Sequence, residues 1–200
     1  MSENLSSAQE FEKSIVTERN LSQYCEKLDF NPKDLKRWHT IVDLGSGTSQ
    51  NFAREVHSID DSVNIISIDP RLSLDENRDL IAFFDEEKDE RIHGRKASDP
   101  MTLSAIAQNL PLQNNSVGAV LALHSVPQYT KSQNDIELSI SEIIRVLRAG
   151  GEARIYPISK NDNYEAVARS VGQHKNIEFE FNEDSNNKNH MLLKLIKKTD

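Results

Sequence analysis

The sequence predicts an α/β fold built on a doubly wound, mostly parallel sheet. Ile41-Val42-Asp43-Leu44 is a short apolar run ending in a glycine-rich bend, Gly45-Ser46-Gly47, and a helical pattern follows it. Further apolar runs at Val63–Ile68, Val117–Leu123 and Glu152–Ile158 alternate with segments of helical spacing, the order that makes βαβ units. The chain closes with Ile177–Phe181 and Met191–Ile196, two strand patterns around an Asn-rich tip that predict an antiparallel hairpin.

Composition narrows the function classes. The 200 residues fit one domain, with a helical segment over 1–39 and an α/β core over 40–200. A formal charge of −8 opposes a non-specific nucleic-acid or anionic-membrane surface, because such partners are met with clustered Lys and Arg. Cys25 is the single cysteine, so no internal disulfide forms and a reducing compartment is expected. No apolar run approaches the roughly 20 residues of a spanning helix, and Met1-Ser2-Glu3-Asn4 lacks a signal core. The expectation is a soluble cytoplasmic protein. No His/Cys spacing marks a metal site, and His174 and His190 stand isolated.

In chain order, Ser7-x-x-Glu10 is a capping-box pattern, and Phe11, Ile15, Leu21, Tyr24 and Leu28 predict one amphipathic helix. Asn31-Pro32 starts a second helix through Trp38; Tyr24 and Trp38 are expected in the core. Thr40–Leu44 is the first strand, and the helix after the glycines turns Phe52, Ala53 and Val56 inward. The second strand, Val63–Ile68, ends at Asp69-Pro70, where proline cannot continue a ladder. Ser73-x-x-Glu76 caps a helix carrying Leu80, Ile81 and Phe84. Arg91–Ala97 is expected as the third strand, and Asp99-Pro100 as the start of a short helix over Met101–Ala107. Val117–Leu123 reads as a strand buried on both faces, followed by a helix through Ile136, Ile140, Ile143, Ile144 and Leu147 that Gly150-Gly151 stops. A short helix over Tyr164–Val171 precedes the hairpin. In this class ligands sit at the carboxyl ends of the strands, which makes Asp43–Ser49, Asp69, the loop before Leu110-Pro111 and Leu123–Tyr129 the residues to examine. A bend with φ > 0 leaves backbone N–H groups free to face a ligand.

Four stretches in order, Val42-Asp43-Leu44-Gly45-Ser46-Gly47-Thr48-Ser49, Ser67-Ile68-Asp69, Leu110-Pro111-Leu112 through Ser116-Val117, and Arg145-Val146-Leu147-Arg148-Ala149-Gly150-Gly151, resemble the motifs of class I S-adenosylmethionine-dependent methyltransferases. The resemblance runs from Thr40 to the C-terminus and implies a seven-stranded sheet in the order 3-2-1-4-5-7-6, with strand 7 antiparallel. It implies S-adenosylmethionine as cofactor and, from the compact members it is most similar to, a small-molecule methyl acceptor. Asp43, Gly45, Ser46, Gly47 and Ser49 would line the methionine side, with Ser49 in place of the family's third glycine. Asp69 would take the two ribose hydroxyls, the hydrogen-bond acceptor that a diol calls for. Aligned on Leu110-Pro111, the family's adenine-contacting acid falls on Ile106, followed by Ala107, and Asp99 is the alternative acid if the loop is expanded. Gly118 stands where an acid is usual, and Ala149 where a proline is.

Methyl transfer is an in-line displacement at a carbon already activated by a sulfonium, so the protein's tasks are alignment and removal of the nucleophile's proton. His124, at the carboxyl end of the fourth strand, is the candidate base, with Tyr129 and Tyr156 as substrate-side groups. A histidine hydrogen-bonded at a strand end is the bland alternative. The sequence Leu123-His124-Ser125-Val126-Pro127 differs from the Asn/Asp-Pro-Pro-aromatic stretch of adenine-amine methylation, and Cys25 lies away from the site as a nucleophile. Two other functions are compatible with the motifs: a non-catalytic binding or regulatory protein on this fold, and a nicotinamide-dependent oxidoreductase, for which Gln50 would replace the third glycine.

Overall fold

A computed structural model describes residues 19–47, 49–73, 101–130 and 132–199. Its elements are α1 (Leu21–Leu28), α2 (Pro32–Trp38), β1 (Thr40–Leu44), α3 (Asn51–Ile59), β2 (Asn64–Ile68), a 3₁₀ turn (Pro70–Ser73), β3 (Met101–Leu103), β4 (Val117–Leu123), α4 (Gln133–Val146), β5 (Leu147–Ser159), α5 (Tyr164–Gly172), β6 (Ile177–Asp184) and β7 (Asn187–Lys197). The strands form one seven-stranded sheet in the order β3-β2-β1-β4-β5-β7-β6. Pairing is parallel from β3 to β5, and β7 runs antiparallel to both β5 and β6. The expected fold class and strand order are both found.

The sheet is covered on two faces. Along β4, Val120 and Ala122 join Ile140 and Ile143 of α4, while Ala119, Leu121 and Leu123 join Tyr24, Trp38 and Phe52. Alternate side chains of one strand therefore feed two cores, which is why β4 reads as an unbroken apolar run. Burying each large side chain stabilises the fold by about 1.5–3 kcal/mol.

Three expectations change. The first helix does not run continuously from Phe11: Asn20 is an extended N-cap with a capping box to Gln23, so α1 begins at Leu21, and Glu55 of α3 accepts from the Leu21 N–H at 2.7 Å. The portion before residue 19 lies outside the described residues, as do the helix expected after Ser73 and the strand expected at Arg91–Ala97. Met101–Leu103, expected as helix, is instead strand β3, pairing Ile66 with Met101 and Ile68 with Leu103. Helical preference is local, and for Met101–Leu103 pairing with the ladder edge of β2 prevails over it; Asp99-Pro100 lie outside the described residues. Finally, α4 ends at Val146 rather than at the glycines. Val117 pairs with Leu147 and Ala119 with Glu152, so Gly150-Gly151 lie in a bulge inside β5, with Gly150 at φ +71°.

Trp38 and the N-terminal helices are fixed by a polar cluster within the apolar layer. Trp38 Nε1 and Arg37 donate to Glu152 Oε1, and Arg154 donates to Glu152 Oε2 at 3.0 Å and to Leu28 O at 2.9 Å. Gly118 admits this packing: a Cβ there would lie 2.0 Å from Trp38 O.

Candidate cofactor-binding site

The carboxyl ends of β1, β2, β3 and β4 converge on the glycine bend. Gly45 has φ +78° and Gly47 φ +71°, the left-handed region where a side chain is strained. Gly45 is also sterically fixed, since a Cβ would lie 2.2 Å from Ser125 Cβ, and Ser125 Oγ donates to Leu44 O at 2.6 Å. The residue following His124 is thereby pinned against the bend.

The backbone N–H groups of the bend are engaged within the protein, contrary to the expectation of free donors. Gly45 N–H and Ser46 N–H both donate to Ile68 O, at 2.7 and 3.3 Å, and Gly47 N–H donates to Asp69 Oδ2 at 3.2 Å. The reason is register: Leu44 pairs with Ile68, so the bend continues alongside the end of β2. Asp69 is buried at that end and is tied to the bend through its side chain. Ser46 and Ser49 are buried in the same loop, and Ser46 Oγ donates to Gly47 O at 3.2 Å.

Asp43 lies one step below, buried beneath the bend. Its Oδ1 accepts the Tyr24 hydroxyl at 2.7 Å, while Oδ2 is buried and has no partner. Burial pushes its carboxyl up to about 7, against the opposing hydrogen bond from Tyr24. The β1–β2 register sets Asp43 beside Ser67, whose Oγ is buried and likewise unpartnered. Two orphaned oxygens in one place mark a position that a donor can complete. Tyr24, expected as core, is buried and stacked on Phe52 at 4.2 Å, and its hydroxyl additionally reaches the site.

His124 adopts φ +53°, and its backbone N–H donates to Tyr156 O at 2.6 Å. Its half-buried ring meets the Tyr156 ring edge-on at 5.6 Å. Burial, followed by the charge of Arg19, holds the imidazole below its usual pKa, which favours the neutral form. Arg19 donates to Leu123 O at 3.2 Å, immediately before His124. Tyr156 is tied down: its hydroxyl donates to Asp184, and Lys27 stands 3.6 Å from the same carboxylate. Burial and Asp184 raise its pKa well above the ordinary phenol value, so it stays protonated at neutral pH. Tyr129 is 68% exposed, outside this cluster.

A cavity of about 360 Å³ begins at Pro70, the residue after Asp69, and is lined by Pro70, Ser104, Ala105, Ile106, Asn109 and Pro111. Ile106 is 51% exposed there, and Ala107 is half-buried behind it. The loop is braced from α4: Glu142 accepts from Leu110 N–H at 2.7 Å, and Arg145 donates to Leu110 O and Leu112 O. Asp99 lies outside the described residues. The structure therefore brings Asp43, Gly45, Ser46, Gly47, Ser49, Asp69 and Ile106 to one end of the sheet, with His124 directly after the neighbouring strand β4. Sequence reasoning missed Arg19 and the reach of Tyr24, because both depend on how a separate helix lands on the sheet. Gly118 did carry a readable signal, since a glycine inside a buried strand indicates close backbone approach.

No family model and no curated protein matches this sequence. Many solved structures do match. A protein from Pyrococcus horikoshii superposes with a TM-score of 0.62 at 13% identity, over 98% of this chain and all of that one (100%). A protein from Methanococcus maripaludis, assigned to the S-adenosyl-L-methionine-dependent methyltransferases, gives 0.58 at 17% identity, covering 100% of this chain and 98% of that one. The cyclase SpnF gives 0.60 at 16% identity, covering 90% and 80% respectively. With the strand order and the reversed seventh strand, these likenesses establish that the chain has the fold of the class I S-adenosylmethionine-dependent methyltransferases.

Proposed function

We propose that this protein binds S-adenosylmethionine at the carboxyl ends of β1–β3 and transfers its methyl group to a small-molecule acceptor reached from His124. The observation that carries the reading is Asp69, a buried carboxylate that accepts from the glycine bend and directly precedes Pro70 of the cavity wall. The residues fit the cofactor. Asp69 would accept from the ribose hydroxyls, the orphaned Asp43 Oδ2 would accept from the methionine ammonium, and the cavity beside Pro70 would receive the heterocycle. Its volume falls within the roughly 300–1,000 Å³ of small-molecule sites.

When bound, S-adenosylmethionine supplies a methyl carbon activated by a sulfonium. The chain's own residues orient and deprotonate. Asp43, held by Tyr24, and Gly45, held by Ser125, fix the bend; His124, kept neutral by burial, accepts the acceptor's proton at a ring nitrogen. The net charge of −8 favours a small molecule over a polyanion as acceptor.

Titration calorimetry tests the cofactor reading: S-adenosylmethionine and S-adenosylhomocysteine should both bind, and Asp69→Ala should weaken them by about 1–3 kcal/mol. Tight NAD(P) binding with no response to either ligand sinks the reading in favour of an oxidoreductase. Methyl transfer is then followed with labelled cofactor against metabolite extracts and RNA, where His124→Ala should lower turnover and leave S-adenosylhomocysteine affinity intact. The second reading, binding or another reaction without methyl transfer, is favoured by the cyclase among the matched structures, and intact cofactor binding with no transfer would select it.

A further inference from the structure

The geometry points to a purine cavity that reads the ring's shape but not its 6-amino group, with Ile106 as the residue that sets this relaxed selectivity. This rests on the S-adenosylmethionine reading above. Ile106 follows β3 by a short loop and lines the cavity next to Pro70, which itself follows Asp69. An exposed isoleucine therefore stands at the wall a ring extending from the ribose would meet.

The described lining offers neutral groups on an open loop, some of them already paired within the chain. Ser104 Oγ donates to Pro70 O at 3.1 Å, and Ile106 O accepts the backbone N–H of Asn109 at 3.1 Å. Among the described lining's side chains this leaves the Asn109 carboxamide, which like the peptide groups of the same loop is neutral, and which is exposed, so that water serves it as well as a ligand does. No described lining residue carries a charge. A site discriminates strongly against a ligand lacking a donor when that loss strands a buried acceptor, above all a charged one. An apolar wall strands nothing, so removing the amino group leaves binding nearly unchanged.

The test compares S-adenosylhomocysteine with its 6-deamino analogue, in which hydrogen replaces the amino group, by calorimetry on the full chain. Wild-type protein should bind the two within about tenfold, the range of one neutral exposed hydrogen bond. Ile106→Asp, tolerated at an exposed position, introduces a charged acceptor and should widen the preference for S-adenosylhomocysteine by a further tenfold or more, about one charge-assisted hydrogen bond. A wild-type preference above about 100-fold, the discrimination of a charged acceptor, overturns the inference while leaving the cofactor reading intact. An unchanged ratio in folded Ile106→Asp also overturns it, by removing Ile106 from the purine wall. If neither nucleoside binds wild-type protein, the cofactor reading fails and this inference with it. The wild-type comparison decides alone if the variant does not fold.

Discussion

Asp43 shows how much a single buried residue is asked to do. A carboxyl in an apolar layer is held by one hydroxyl, with its second oxygen unpartnered, so the site is poised against its own desolvation. Tyr24→Phe should keep the stack on Phe52 and remove that hydroxyl, leaving both oxygens without a donor; urea unfolding is expected to show a loss of about 1–3 kcal/mol. A change below about 0.5 kcal/mol, typical of a neutral surface position, would remove the bond from the energetics. The pH dependence follows from the direction of the shift. The unfolded carboxyl titrates at 3.8 and the folded one at about 7, so between these values the folded chain binds the extra proton. Asp43 therefore favours folding most at low pH, and that contribution is lost as pH rises through 7. His124 and His174, both depressed by burial, work in the opposite direction, which makes the difference between two proteins the useful measurement. The melting temperature of Asp43→Asn minus that of wild type should grow from pH 5 to pH 8. A flat difference would place the Asp43 carboxyl at an ordinary value. The residue itself was legible, since an acid closing an apolar run before Gly-x-Gly is a strong local signal. Its donor was not, because Tyr24 belongs to a helix whose placement no local pattern specifies.

Among the elements, β4 and α2 are locked together where a side chain is missing. Gly118 stands where a methyltransferase-like pattern has an acid, and the fold gives the reason in backbone terms: the carbonyl ending α2 occupies that space. Gly118→Ala should force α2 off the sheet and strain the Trp38–Glu152–Arg154 cluster, with a cost of about 3 kcal/mol or more, at the upper end of overpacking. Near-unchanged thermal unfolding would mean that α2 can shift at little cost. The same contrast explains which elements were readable. β1, β2, β4 and the closing hairpin announce themselves through apolar runs and alternation, because their burial is set by the whole sheet. β3 was misread as helix: its three residues are mostly exposed, and only the edge of β2 decides their conformation. The Gly150-Gly151 pair signalled a break, but whether that break ends a helix or bulges a strand depends on how β5 registers with β4.

For the molecule as a whole, the sheet order separates the proposed site from the hairpin. β3, β2 and β1 hold the bend, Asp69 and the cavity at one end of the order, whereas β7 and β6 close the other. A ligand spanning the bend and the cavity bridges β1, β2 and the loop after β3, so it should suppress their local opening more than that of the hairpin. Local openings have their own free energies, and a ligand adds to those that disrupt its site. At 100-fold excess over the dissociation constant the increment is about 2.7 kcal/mol, near a hundredfold in protection. With saturating S-adenosylhomocysteine, native-state hydrogen exchange should slow strongly at the Gly47 and Asp69 amides, whose acceptors are Asp69 Oδ2 and Leu103 O. The Phe181 and Leu193 amides, in the β6–β7 ladder, should change little wherever they exchange by local opening. Equal protection at both ends would mean that exchange reports global unfolding only. Protection confined to the hairpin would move the ligand away from the bend, and with it the roles proposed for Asp43, Asp69 and Ile106.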